Sequence, residues 1–322
     1  MLAIQAVRAG GPEVLEAVEL ERPTPGPGQV LVRHEAIGLN FIDTYQRSGL
    51  YPMRYPAVLG QEAAGVVEAL GEGVTSFKAG DRVVYSGQGG AYAQFQAVPA
   101  ARVLPLPDGV SFEVAAASLL KGMTTEFLLR RCYPLKAGQT ILAHAAAGGV
   151  GTLLVQWAKA IGASVIGTVG SPAKAALARQ LGCDHVILYR EEDVAARVRE
   201  ITGGAGVPVA YDSVGKDTFE ATLASLARRG LFVSFGNASG PVPAFEPLRL
   251  SRAGSLYFTR PTMGDYTVTR AELEESAGAL FEMIAAGKLR IEIGQRFKLA
   301  DARQAHEALH SRETIGATVL LP

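Results

Sequence analysis

The segment from Gly138 to Lys159, GQTILAHAAAGGVGTLLVQWAK, constrains the fold more than any other, because it reads as a strand, a turn of small residues and a helix in immediate succession. Thr140–His144 is a short, mostly apolar strand. Ala146-Ala147-Gly148-Gly149-Val150-Gly151 forms the turn, and Leu153, Leu154, Trp157 and Ala158 follow at helical spacing. Glycine adopts positive φ freely and carries no side chain, so such a turn brings backbone N–H groups close to a pyrophosphate. The positive end of the following helix then stabilises that anion. Ala146 stands at the first position of the usual glycine fingerprint, so the pattern is AxGxxG. An alternative, in which the glycines only let the helix pack closely on the strand, stands beside the dinucleotide reading.

A second strand, Ala163–Val169, follows the helix and ends where a dinucleotide-binding unit presents its ribose-binding residue. A carboxylate there would bond the ribose 2′-hydroxyl and repel a 2′-phosphate. The chain instead has Gly170-Ser171-Pro172-Ala173-Lys174, with an open glycine and a cation one turn into the next helix. This end suits NADPH, with Ser171 and Lys174 on the phosphate; the alternative for Lys174 is a solvated helix lysine.

At 322 residues and 48% hydrophobic content the chain has length and apolar mass for two domains. Lys+Arg and Asp+Glu balance at 31 each, so no bulk positive field points to nucleic acid or an anionic membrane surface. No apolar run approaches membrane-spanning length, and MLAIQAVRAGGPEVLE resembles neither a transit helix nor a signal peptide, which makes the cytoplasm the expected compartment. Cys132 and Cys183 form no closely spaced pair and read as core thiols.

Residues 1–117 show short alternating segments punctuated by Pro and Gly, as in Pro23–Gly28 before a strand at Gln29–Ile37, which is barrel-like patterning. From about Leu119 to Arg260, strands expected at Thr140–His144, Ser164–Val169, His185–Leu188, Pro208–Tyr211 and Leu231–Phe235 alternate with helices. The expected class is therefore α/β, with a doubly wound parallel sheet. The tail adds a helix at Ala271–Gly287, a strand near Arg296–Leu299, a short helix at Ala302–His310 and a last strand at Ala317–Leu320.

Two segments carry a family resemblance most specifically: Gly60-Gln61-Glu62-Ala63-Ala64-Gly65-Val66-Val67 running through Gly71 and Phe77 to Gly80-Asp81-Arg82-Val83, and the Gly138–Lys159 stretch. With NFIDTYQRSGLYP, YDSVGKDTF, VSFGNASG and GSLYFTRP, they make the chain resemble, over its whole length, the medium-chain dehydrogenases/reductases of the quinone oxidoreductase (zeta-crystallin-like) branch. The resemblance implies a GroES-like β-barrel domain from residues 1–117 and 261–322, a Rossmann domain from 118–260, and a cleft at their junction. It implies no metal. Segment 38–43 lacks the cysteine, and Gln61 replaces the histidine, by which zinc-dependent members hold their ion, although Glu62 is kept. Without zinc to polarise an alkoxide, reduction of an electron-poor acceptor becomes the natural reaction.

By the same resemblance Lys174, Tyr189 and Arg312 form the 2′-phosphate pocket beside Gly170 and Ser171. Asn40, Phe41, Ile42, Phe127, Ala147, Gly148, Gly149 and Val150 reach the pyrophosphate and nicotinamide. Phe235, Gly236, Asn237 and Ala238 flank the nicotinamide, and Arg260, Pro261 and Thr262 complete that wall. Asn40, Tyr45 and Tyr51 are the candidates for lining the acceptor site, where polar tips would bond a quinone carbonyl and rings would stack. Half-buried barrel tyrosines are the alternative. No general acid is assigned: Asp43 reads as structural, and the histidines as packing or surface residues. The expected activity is transfer of reducing equivalents from NADPH to a quinone. The rivals are reduction of an enone or alkenal double bond, and a non-catalytic crystallin-like or RNA-binding protein that keeps the NADPH site. The apolar strand Ser255–Phe258 suits edge-to-edge pairing in a homodimer.

Overall fold

Residues 1–311 and 314–322 are described by the computed structural model, and they divide into two units: Met1–Met123 with Thr267–Glu282 and Ile291–Pro322, and Thr124–Tyr266 with Met283–Arg290. In chain order the first unit contains β1 (Leu2–Ala6), β2 (Leu15–Glu19), β3 (Gln29–Leu39), α1 (Phe41–Ser48), β4 (Ala57–Val58), β5 (Glu62–Leu70), β6 (Arg82–Ser86), β7 (Phe95–Pro99) and β8 (Val103–Pro105). Helix α2 (Phe112–Phe127) leads out of it. The second unit continues with β9 (Thr140–Ala143), α3 (Gly149–Ile161), β10 (Ser164–Val169), α4 (Pro172–Gln180), β11 (His185–Leu188), β12 (Val207–Asp212), β13 (Leu226–Ser234) and β14 (Tyr257–Thr259). After a helix at Arg270–Ala285, β15 (Ile293–Lys298) and β16 (Ala317–Leu321) join the first unit's sheet.

That sheet runs β15-β16-β3-β5-β6-β8, with β7 also paired to β3, and a smaller sheet runs β2-β1-β4. Strand β3 is central: it pairs antiparallel with β5, β7 and β16. Val30, Val32, Ile37, Val67, Val83 and Tyr85 pack in its core. Burying the aliphatic chains among them contributes about 1.5–3 kcal/mol each. Helix α1 lies within a stretch that patterning assigned to strands and turns. Asn40 N–H donates to the Asp43 carboxylate at its start (2.9 Å), and Gly49 in the left-handed conformation (φ 80°) stops it after two turns.

The second unit is a parallel sheet in the order β11-β10-β9-β12-β13-β14, the doubly wound arrangement. Leu142, Ile166, Ile187, Phe219 and Phe232 fill its core. Strand β13 is longer than the expected Leu231–Phe235 because Arg229, at φ 59°, bulges its first half while Leu226 still pairs with Val207. Strand β14 begins at Tyr257 rather than Ser255, whose φ of 57° is incompatible with extended backbone. It stands at the end of the sheet path, an edge and not an interior strand. Among the described residues no helix is long and apolar enough to cross a membrane.

Candidate functional site

Because β9 to β14 run parallel, their C-terminal ends share one edge of the sheet, where ligands bind in such folds. After β9 the chain turns sharply: Ala145 takes a left-handed φ of 52°, and Gly148 N–H closes on its carbonyl at 2.8 Å. Helix α3 then starts at Gly149 with Gly148 as a cap that offers no side chain. The first N–H groups of a helix have no partner within it, so Gly149, Val150 and Gly151 present donors to an anion. A Cβ on Gly151 would stand 2.1 Å from the Ala145 carbonyl oxygen, which makes glycine obligatory there.

At the end of β10, Gly170 faces Tyr189: a Cβ on Gly170 would lie 2.7 Å from the tyrosine hydroxyl. Ser171 caps α4, its hydroxyl accepting from Lys174 N–H at 3.4 Å, and Pro172 occupies the first helical position. The structure therefore brings Gly170, Ser171 and the partly exposed Tyr189 to one strand end, with Lys174 in the first turn of α4 and no Asp or Glu in segment 170–174. Arg312 lies outside the described residues. The acidic run after Tyr189 serves the local backbone. Asp193 caps the next helix, accepting from Ala196 N–H at 3.0 Å, and Glu192 accepts from Leu188 N–H at 2.8 Å.

Phe235–Ala238 and Arg260–Thr262 follow the neighbouring ends of β13 and β14. With its amide turned to satisfy both polar ends, Asn237 donates to the Gly236 carbonyl (3.0 Å) and accepts from Arg260 (3.3 Å). Phe127 is buried and stacks on Tyr266 with ring centroids 4.4 Å apart, and Arg131 lies over the same tyrosine. The Phe127 side chain is thus committed to packing.

In the first unit Asn40, the N-cap of α1, is buried and gives its side-chain amide to Glu62 at 2.8 Å. Glu62 is wholly buried and also accepts from the Lys121 ammonium (3.0 Å) and Leu120 N–H (2.7 Å). Lys121 sits in the apolar run AAASLLKGM of α2, and a single charge within that run is the signal that marks it. Tyr45 is buried, and its ring meets that of the half-buried Tyr51 edge-on at 5.3 Å. Asn40 and both tyrosines are therefore grouped around α1, with the Asn40 amide nitrogen already engaged.

Beneath Asn40 a buried chain runs through Asp43, Tyr92, His306 and Arg47. Arginine only donates, so Arg47 gives its N–H to His306 Nδ1 (2.9 Å). His306 then carries its proton on Nε2 and donates to Tyr92 Oη (3.0 Å), and Tyr92 donates to Asp43 Oδ2 (2.9 Å). Burial and the Arg47 cation push His306 down to about 3. Burial pushes Asp43 up to about 7 against its two hydrogen bonds, and Asp43 Oδ1 has no partner. Asp43 and His306 are therefore structural and joined through Tyr92, and Arg47 meets His306 across 259 positions, a pairing that local patterning does not reveal.

Residues 26–108 match the profile of the alcohol dehydrogenase GroES-like domain, and residues 149–282 that of the zinc-binding dehydrogenase. The residues here do not fit zinc: Gln61 gives its amide to Gln46 (2.9 Å), Glu62 is held by an ammonium, and among the described residues no three His, Cys, Asp or Glu could share an ion. The chain is 56% identical to a quinone oxidoreductase of Pseudomonas aeruginosa, covering 99% of each chain. It is 44% identical to a 2-haloacrylate reductase of a Burkholderia species, covering 98% of this chain and 97% of the other. The crystal structure of Escherichia coli quinone oxidoreductase complexed with NADPH superposes with a TM-score of 0.98 at 50% identity and full coverage of both chains.

Proposed function

The chain belongs to the quinone oxidoreductase branch of the medium-chain dehydrogenases/reductases, and from that premise we propose that it oxidises NADPH and reduces a quinone. The observation that carries the cofactor choice is the end of β10, where Gly170, Ser171 and Tyr189 stand beside the first turn of α4 with its Lys174 and segment 170–174 holds no Asp or Glu. A 2′-phosphate there gains a cation and two hydroxyl donors. The α3 turn takes the pyrophosphate on its N–H groups. Asn237 and Arg260 hold one another at the nicotinamide wall, and Asn40, Tyr45 and Tyr51 receive the acceptor. NADPH, when bound, supplies the reducing equivalents; the chain's residues contribute orientation and exclusion of water.

Fluorescence-quenching titrations test this. NADPH should bind far more tightly than NADH, and Lys174→Ala should weaken NADPH roughly tenfold while leaving NADH unchanged. Equal affinities for the two cofactors, or an unaltered NADPH constant in the variant, would reject the phosphate pocket. A second reading, reduction of an activated carbon–carbon double bond, is favoured by the likeness to the 2-haloacrylate reductase. Parallel NADPH-oxidation assays with ortho-quinones, para-quinones and small enones separate the two. We also propose a cytoplasmic homodimer joined through β14, an edge strand on which Tyr257 is 62% exposed.

A further inference from the structure

The second unit holds a buried polar chain that none of the contacts described above uses. His144, immediately after β9, is 2% exposed. Its Nδ1 lies 2.9 Å from Thr168 Oγ1 on β10, and its Nε2 lies 2.9 Å from Thr222 Oγ1 on the helix Phe219–Ser225. Thr222 has one hydroxyl hydrogen and faces two oxygen acceptors, Asp212 Oδ2 at 2.9 Å and the Thr218 carbonyl at 2.7 Å. It therefore accepts from His144. The imidazole carries its proton on Nε2, and Thr168 donates to Nδ1. The Asp212 carboxylate, at the end of β12, also takes Thr218 Oγ1 (2.7 Å) and the N–H groups of Val214 (2.8 Å) and Gly215 (3.0 Å).

Each end of this chain grips one half of the dinucleotide edge. At one end the Thr168 carbonyl accepts from Ala146 N–H at 3.1 Å, at the root of the α3 turn. At the other, Asp212 fixes the Ser213–Gly215 turn. That turn accepts from the loop after β13 through Ala238 N–H on Ser213 (3.2 Å) and Ser239 N–H on Val214 (2.8 Å). An apolar side chain would fill the place of His144 at less desolvation cost. What the imidazole adds is a fixed length between two strands and a helix.

We propose that Thr168, His144, Thr222 and Asp212 are positioning residues that set the spacing between the pyrophosphate turn and the nicotinamide wall. The proposal rests on the NADPH reading. It separates two parts of the cofactor: the adenosine end at β10 and β11 is independent of Thr222, whereas the nicotinamide end depends on it.

Calorimetric binding of NADPH and of adenosine 2′,5′-bisphosphate, which lacks the nicotinamide half, tests it on the full chain. Thr222→Val removes the hydroxyl at nearly constant volume. It should raise the NADPH dissociation constant roughly tenfold, leave that of the bisphosphate within about twofold, and be rescued by Thr222→Ser. Retained bisphosphate binding also reports a folded protein. Should Thr222→Val fail to fold, Thr168→Val cuts the chain at its other end and should shift NADPH more than the bisphosphate. Unchanged NADPH binding, or equal losses for both ligands, would overturn the positioning role. A wild-type protein that binds neither ligand would overturn the cofactor reading and the spacing role with it.

Discussion

Each unit buries one aspartate at the end of a polar chain that contains a neutral histidine, and the two chains are finished differently. Asp212 receives two backbone N–H groups and two threonine hydroxyls, shared over both oxygens. Asp43 receives only the Asn40 N–H and the Tyr92 hydroxyl, both on Oδ2, and its Oδ1 is left bare. The far end of the Asp43 chain is the Arg47 cation, whereas the Asp212 chain ends in the neutral Thr168. A carboxylate surrounded by donors holds the elements that supply them. A carboxyl with few donors in a dry site keeps its proton to higher pH, as the rise of Asp43 to about 7 expresses. The first arrangement fixes geometry and the second responds to protons.

The same substitution should therefore act differently in the two places. Asp212→Asn turns an amide N–H toward groups that only donate to the carboxylate, and should cost about 3 kcal/mol of unfolding free energy at neutral pH, measured by urea titration. Asp43→Asn should cost far less above neutrality, since it removes a buried charge that is poorly compensated. Similar losses for both variants at pH 8 would erase the distinction drawn between them.

The dinucleotide edge was legible in the chain because its determinants are local. The AxGxxG turn, the absent acid after Val169 and the cation at Lys174 lie within a few tens of residues, and each acts on backbone or charge close to itself. The edge strand before Arg260 was visible for the same reason, as a short apolar run. The polar chains were not. Glu62 meets Lys121 across 59 positions and Arg47 meets His306 across 259, because helices and strands from distant parts of the sequence pack together. Periodicity says that His306 in ARQAHEALH falls on an apolar helix face, but not which hydroxyl will meet it. Helix α1 was missed because its capping residues, Asn40, Asp43 and Gly49, belong equally to turn chemistry.

An effect spread over pH sharpens the comparison. Between about pH 4 and 7 folded Asp43 holds a proton that the unfolded chain has released, so its contribution to stability is full at the acid end and is lost as pH rises through 7. His34, pushed by burial to about 4, and His306, at about 3, act in the other sense: folding forbids protons that the unfolded chain takes up below 6.5. His144 is lowered by burial as well. Removing Asp43 leaves the histidines unopposed. The stability of Asp43→Asn should therefore rise relative to wild type by up to about 1.4 kcal/mol per pH unit across this window and level off above it. Parallel stability curves for the two proteins would show that Asp43 does not titrate there.

Tyr92→Phe should give the smallest change and the most local one. The hydroxyl both donates to Asp43 and accepts from His306, so its loss strips the carboxyl to one donor and leaves a buried imidazole N–H without its acceptor. The cost at pH 5, where Asp43 keeps its proton, should be about 1 kcal/mol, the worth of an ordinary buried hydrogen bond. At pH 8 the same site holds an anion, and hydrogen bonds to charged groups are worth about 1.5–3 kcal/mol, so the cost should grow by about 1 kcal/mol. The matching deletion in the other unit, Thr218→Val, removes one of four donors from Asp212, so three remain to hold that turn. A Tyr92→Phe penalty that stays constant from pH 5 to pH 8 would mean that the Asp43 chain holds its shape without exchanging a proton, and the two buried acids would then be alike.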